Sequence, residues 1–332
     1  MAKLRLTLAC GLYDRTIPFL TGAVAPEGIE FNYLPMSPGE LFRRQGRHAE
    51  FDVAEFSMST LSHLRDEGDQ RLVAIPVFPS RRFRHCDMFI NTNSGIRGPE
   101  DLAGKQVGAM EYQQTAAVWQ RGMLQHDCGV SPDKMEWFFG GYNEPEVWTD
   151  RVPITLPSNV KHHTISDQQS LDQMLDSGEI QALIGATPPN SLRRGSPNVA
   201  RLFPNFPEVE ADYFRRTGIF PIMHTVVIKR EIYQQHPWVA MSLYKAFLQA
   251  KIVARRGLPG SGTLFCMLPW LSQHLDDVDR LMGDDPFAYG MIKNQKVLET
   301  FYGYCLEQGM IRKAVTPAEI FAPETHDAPS EL

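Results

Sequence analysis

The sequence predicts an α/β protein in two lobes, built on mainly parallel sheets. Short runs rich in Val, Ile, Leu and aromatic residues alternate with helical stretches along most of the chain. Its 332 residues exceed what one core usually holds. With 43% hydrophobic and 22% charged residues, the composition is that of an ordinary globular protein.

The strand candidates, in order, are KLRLTLAC (3–10), GIEFNYL (28–34), FDVAEF (51–56), RLVAIPVF (71–78), DMFINT (87–92), KQVGAM (105–110), KMEWFF (134–139), EIQALIG (179–185) and MHTVVIK (223–229). In the first, Leu4, Leu6 and Leu8 fall on one face. Helices are expected between them. ELFRRQGRH (40–48) and STLSHLRDEG (59–68) are short, TAAVWQRGMLQHDCG runs from Thr115 to a stop at Gly129, and SLDQMLDSG ends at Gly178. The clearest is HPWVAMSLYKAFLQAKIVARRG (236–257), where Pro237 suits a first turn and Gly257 closes the helix. Its stripe Val239, Leu243, Phe247, Ala250 and Val253 reads as core. The tail 322–332 reads as loose.

Charge and cysteines narrow the class. The balance of 33 basic and 39 acidic residues, −6 overall, leaves no excess cation for phosphates, so no nucleic-acid partner is expected. Cys10, Cys86, Cys128, Cys266 and Cys305 are dispersed, without a CxxC pair, and read as reduced thiols. The first apolar run is too short for an export signal and contains Arg5. The uncharged run 257–275 is interrupted by two prolines and three glycines, so no membrane span is expected. A soluble, unexported, cytoplasmic protein is the expectation. The sequence has no HExxH, nucleophile elbow, P-loop or dinucleotide fingerprint, so no metal or other cofactor is expected.

Several stretches carry a resemblance. GPEDLAGKQVGAMEYQQTAAV (98–118), GVSPDKMEW (129–137) and LDQMLDSGEIQALI (171–184) resemble units of type II periplasmic-binding-protein folds. YDRT (13–16), FDVAEFSMS (51–59), PSRRFRH (79–85), EYQQTAA (111–117), TGIFPIMH (217–224) and DPFAYG (285–290) with Asn294 look like 4,5-dihydroxyphthalate decarboxylases, in order and spacing, over nearly the whole chain. This resemblance implies two lobes with a ligand cleft between them. The crossings then fall near 88–93 and 220–228, giving lobe 1 as 1–88 plus 226–332 and lobe 2 as 89–225. It also implies a small aromatic dicarboxylate as substrate.

Candidate site residues follow from these stretches. In SRRFRHCD (80–87), extended backbone would put Arg81, Phe83 and His85 on one face and Arg82 and Arg84 on the other. A guanidinium fork fits a carboxylate; a solvated basic edge is the plain alternative. The resemblance matches Arg81, Arg84 and His85 but not Arg82. Neighbouring cations are expected to keep His85 from holding a proton until a dianion binds. Asp14 and Arg15 belong in a strand-exit loop, as an anion site or a structural ion pair. Gln114 and Thr115 open a helix whose free N–H groups attract a carboxylate, with Thr115 as a possible cap. Glu111 beside them needs a cation or a proton. Glu55, Ser57 and Ser59 alternate on one side of an extended stretch, either a cleft wall or a solvent-facing loop. His224 is a lone polar group in an apolar run, either an interior histidine or a site residue.

The chemistry that the resemblance implies needs no electron-sink cofactor. Each carboxylate of 4,5-dihydroxyphthalate lies para to a hydroxyl, so the ring itself can push electrons to the carbon that is protonated as CO2 leaves. Arginines should grip the carboxylate that stays, because gripping the one that leaves would favour the ground state. The leaving group should face a dry wall, with Phe83, Phe220 and Trp119 as candidates. His85 comes first and His224 second as general acid; Glu111, Glu55 or Asp14 would hold the phenol. A non-catalytic binding protein for an aromatic anion is the main alternative, and a thiamin-pyrimidine synthase on the same fold a more distant one. DPFAYG and the C-terminal helices are the candidate contacts of a homo-oligomer.

Overall fold

The computed structural model describes residues 3–147, 149–259 and 262–330. The chain divides into two compact units. The first comprises Met1–Arg81, Ile222–Thr300 and Val315–Leu332, and the second Arg82–Pro221 and Phe301–Ala314. The segment Phe301–Ala314, expected in lobe 1, thus belongs with the second unit. Its side chains explain this: Phe301 and Tyr304 pack on Trp119, and Gln308 accepts a hydrogen bond from buried Arg121.

All nine predicted strands form. They are β1 (Leu4–Cys10), β2 (Ile29–Pro35), β3 (Val53–Ser57), β4 (Leu72–Arg81), β5 (Met88–Asn91), β6 (Gln106–Ala109), β7 (Glu136–Phe139), β9 (Ala182–Ile184) and β11 (Ile222–Lys229). Two short ones, β8 (His162–Thr164) and β10 (Val199–Arg201), were not expected; three residues are too few to show a period. The first unit's sheet runs β2-β1-β3-β11-β4, and the second's runs β10-β5-β9-β6-β7-β8. The expectation of mainly parallel sheets needs correction, because both are mixed. β5 and β11 pair antiparallel with their neighbours. Each is the first strand after the chain has changed units, so no crossover helix within the unit imposes a parallel return.

The five predicted helices also form. Helix Thr115–Cys128 ends on Gly129, whose φ of 71° is the left-handed conformation that a helix C-terminus favours in glycine. Helix Trp238–Gly257 buries Val239, Leu243, Phe247 and Ala250 in the first unit, whereas Val253 is exposed. The second unit has its own core of Phe89, Tyr142, Leu171, Leu175, Ile180, Leu183 and Val199.

In the first unit β1 and β3 are parallel, while β11 runs against β3 and β4. The carboxyl ends of β1, β3 and β4 therefore meet the amino end of β11 at one edge of the sheet. Tyr13, Asp14 and Arg15 after β1, Glu55 and Ser57 on β3, Arg81 on β4 and His224 on β11 all collect there.

Candidate functional site

Glu55 is the centre of this edge. Its side chain is fully buried, and both carboxylate oxygens are engaged. Oε1 lies 2.6 Å from His224 Nδ1 and accepts from the Tyr13 hydroxyl at 2.9 Å. Oε2 accepts from the Gly11 N–H at 2.9 Å and the Cys10 thiol at 3.4 Å, and lies 3.2 Å from the Tyr13 hydroxyl. Burial pushes the carboxyl up, but the His224 contact and the Gly11 and Tyr13 donors outweigh it and hold it below its ordinary value. The ring of Phe42 packs edge-on against His224 at 4.7 Å.

Arg15 continues the cluster. Its Nη1 pairs with Asp14 Oδ1 at 2.8 Å, its Nε donates to the Pro79 carbonyl at 2.6 Å, and its guanidinium sits 4.4 Å above the Tyr13 ring and 4.9 Å from that of Phe287. The structural ion pair between Asp14 and Arg15 is therefore present. Arg15 Nη2 makes no hydrogen bond to the described residues.

The remaining sequence candidates take other places. Arg81 is buried and its Nη2 donates to the Ala288 carbonyl at 2.7 Å and to Asn294 Oδ1, so it fastens the DPFAYG…Asn294 segment. Burial lowers its pKa to about 10. The alternation expected through residues 81–85 stops at Arg81, where β4 ends; His85–Asp87 form a 3-10 turn of the second unit. There Arg84 Nη1 pairs with fully buried Asp87 at 2.9 Å and donates to the Ala186 carbonyl. Arg82 also pairs with Asp87. Gln120 ties this turn down through the carbonyls of Arg84, Asp87 and Gly185.

His85 packs between the rings of Phe203 and Tyr213, and its buried Nδ1 has no hydrogen-bond partner among the described residues. Its pKa is lowered to about 4, first by burial, with Arg216 adding to the depression and Asp127 opposing it. The expected direction holds, but the cause is a dry setting instead of the neighbouring arginines.

Ser57 caps helix Met58–Asp66 by accepting from the Thr60 N–H, and Ser59 already lies inside that helix, 3.2 Å from Ser57 between hydroxyl oxygens. Gln114, not Thr115, is the N-cap of helix Thr115–Cys128, without a side-chain capping bond. Glu111 Oε1 pairs with Arg151 at 3.2 Å, while Glu111 Oε2 is buried without a partner among the described residues. Trp119 is wholly interior, and the rings of Phe83 and Phe220 pack against each other at 4.7 Å, tilted by 41°.

Sequence reasoning passed over Tyr13, Cys10 and Gly11. Tyr13 stood inside YDRT, next to two charges that drew the attention. Arg151 and Asn294 gave no local signal of their partners. Among the described residues, no three His, Cys, Asp or Glu side chains cluster as a metal site, and no helix is long and apolar enough to cross a membrane.

No protein-family model matches the chain. Among solved structures it is similar to the periplasmic aliphatic sulphonate binding protein SsuA from Escherichia coli. The TM-score is 0.55 at 10% identity, covering 98% of this chain and 99% of that one. That likeness is one of fold, which is periplasmic-binding-protein-like. Among curated proteins it is 35% identical to the 4,5-dihydroxyphthalate decarboxylase of Comamonas testosteroni, over 97% of this chain and 98% of the relative. It is 36% identical to the Pseudomonas putida protein of the same name, over 65% of this chain and 83% of the relative. Near-complete coverage at this identity decides the matter: the chain belongs to the 4,5-dihydroxyphthalate decarboxylase family.

Proposed function

We propose that this protein decarboxylates 4,5-dihydroxyphthalate to protocatechuate and CO2 without a cofactor, with His224 as general acid and Arg15 as anchor for the carboxylate that stays. The observation that carries this reading is the unbroken set of contacts from Arg15 through Tyr13 and Glu55 to His224. It brings a guanidinium fork and an imidazole held by an ionised carboxylate to one sheet edge, beyond the carboxyl ends of β1, β3 and β4. That is where ligands of open α/β sheets bind.

The roles follow from the charges. Glu55, held as carboxylate, stabilises an imidazolium at His224 and fixes the ring through Nδ1, so Nε2 carries the transferable proton. That proton goes to the ring carbon bearing the departing carboxylate. The para hydroxyl supplies the electron pair as its own proton moves to an acceptor. Asp14 Oδ2 carries no hydrogen bond from the described residues and is the candidate acceptor. Breaking the C–C bond releases CO2 and returns its electron pair to the ring; the phenolic proton then comes back, and solvent reloads His224. One proton is consumed per CO2. Phe42 beside His224 offers the departing carboxylate an apolar neighbour. Since burial keeps His85 neutral, it has no proton to give until well below neutral pH, and it takes second place.

Five free thiols fit a reducing cytoplasmic setting. For the homo-oligomer, exposed Leu264, Phe265, Met267 and Trp270 give more support than DPFAYG, whose Tyr289 is buried. The test of function is to incubate purified, chelator-treated protein with 4,5-dihydroxyphthalate. Stoichiometric CO2 and protocatechuate are expected; tight binding without CO2 would make this a solute-binding protein instead.

A further inference from the structure

We propose that Tyr13 is a positioning residue of the decarboxylation: its hydroxyl holds the Glu55 carboxylate against His224 while its ring seats the Arg15 guanidinium. The inference rests on the roles given above to His224 and Arg15. A carboxylate with no solvent contact is stable only when its lone pairs are taken by donors, and its orientation is set by where those donors stand. Around Glu55 they are His224 on β11, Cys10 and the Gly11 N–H at the end of β1, and the Tyr13 hydroxyl. Of these only the Tyr13 hydroxyl lies within reach of both oxygens, at 2.9 and 3.2 Å, so it restrains rotation of the carboxylate away from the imidazole. Arg15 with its partner Asp14, Tyr33 and Tyr289 are further titratable groups that act on this cluster.

The chain is built to bring Tyr13 back over its own strand. A Cβ on Gly11 would lie 2.5 Å from Tyr13 Cζ and 2.6 Å from its hydroxyl oxygen, so only glycine leaves room for the ring. Thr16 closes the turn, its Oγ1 accepting from the Tyr13 N–H and donating to the Gly11 carbonyl, both at 2.9 Å. Tyr33 donates to that same carbonyl at 2.8 Å. Burial, with the Glu55 charge beside it, raises the Tyr13 phenol far above its ordinary range, so the hydroxyl stays a donor at every working pH. One side chain thereby joins the anion anchor to the acid.

The substitution Tyr13→Phe removes the hydroxyl and keeps the ring, which separates the two functions. It should lower kcat by about ten- to a hundredfold, the worth of a hydrogen bond to a buried charge. KM should stay within about twofold. Glu55 then loses a donor that favours its charged form, so the acid limb of the pH–rate profile should move to higher pH. Tyr13→Leu should show the same loss in kcat and also raise KM, because Arg15 loses its seat. Gly11→Ala, which displaces the hydroxyl without removing it, should reproduce the acid-limb shift. A folded Tyr13→Phe protein with the kcat and acid limb of the wild type would overturn the proposal, as would a fall in kcat with no movement of that limb. His224→Asn in the same assay separates the two levels. If His224→Asn is inactive while Tyr13→Phe behaves as wild type, only the role of Tyr13 fails; if His224→Asn keeps wild-type kcat, the reading beneath it fails.

Discussion

His85 and His224 carry the same ring and meet opposite surroundings. His224 faces a carboxylate that its environment keeps ionised, and His85 lies between two aromatic rings with a cation, Arg216, among its electrostatic neighbours. His224→Asn should therefore lower kcat by about 10²–10⁴-fold with little change in KM, whereas His85→Asn should cost less than about tenfold. Arg15→Ala should do the reverse of His224→Asn and raise KM, by about 2–5 kcal/mol of lost binding if the carboxylate is fully desolvated there. Steady-state kinetics on the three variants checks all of this. His85 should also write itself into stability. Its pKa in the folded protein, about 4, lies below the ordinary 6.5, so between those values the unfolded chain takes a proton that the native one refuses. Stability should fall as pH drops from about 6.5 to about 4, by about 3 kcal/mol in total, and stay level below. Denaturant melts at pH 7 and pH 4.5 should show a smaller loss for His85→Asn than for the wild type; equal losses would contradict it. The direction of this shift could be read from SRRFRHCD, but its cause could not. Phe203 and Tyr213 are more than a hundred residues away, and no local pattern announces who will cover a histidine.

At the level of elements, prolines do more for the site than periodicity does. β4 reads LVAIPVFPSR, and Pro76 and Pro79 have no N–H for the ladder. Its register with β11 slips on both sides of His224, where Ser80 is the partner, before regular pairing resumes at Val226 with Ile75. An irregular ladder frees a strand to re-aim a side chain, and His224 is turned toward Glu55 on β3. The prolines are plain in the sequence, as are the nine longer strands. Their consequence for His224 was not, because it depends on which strand pairs with β4. Arg81 gives a second case. Its place at a strand end was legible, but its partners Ala288 and Asn294 lie over two hundred residues on, so a guanidinium read as a clamp for substrate is seen fastening the chain. Asn294 also donates to the carbonyls of Ala288 and Gly290, at 2.9 and 2.7 Å. Removing one partner of a buried charge leaves it poorly solvated, so Asn294→Ala should destabilise the fold by about 2–4 kcal/mol. Thermal or denaturant melts measure this directly, and a change below about 0.5 kcal/mol, the size of an ordinary surface substitution, would show that Arg81 does not depend on Asn294.

On the scale of the whole molecule, the decarboxylation consumes one of two chemically equivalent carboxylates, and the proposed site predicts that it stops there. In the proposed reading the substrate enters with one acid group on Arg15 and its twin beside the apolar ring of Phe42. The product keeps only the first. For a second turnover protocatechuate would have to place its single carboxylate as leaving group, and then nothing anionic would remain for Arg15 to hold. In that reading binding energy from the anchor orients the ring against His224, so its loss would remove positioning from the transition state as well as affinity from the ground state. Protocatechuate should accordingly bind in the unproductive sense, as a competitive inhibitor seated on Arg15, and yield no catechol over a time in which 4,5-dihydroxyphthalate is exhausted. Arg15→Ala should weaken this inhibition in proportion to its effect on KM. The measurement is product analysis of protein incubated with protocatechuate alone, followed by inhibition kinetics on wild type and variant. Steady formation of catechol, or inhibition by protocatechuate that does not respond to Arg15→Ala, would place the retained carboxylate somewhere other than Arg15.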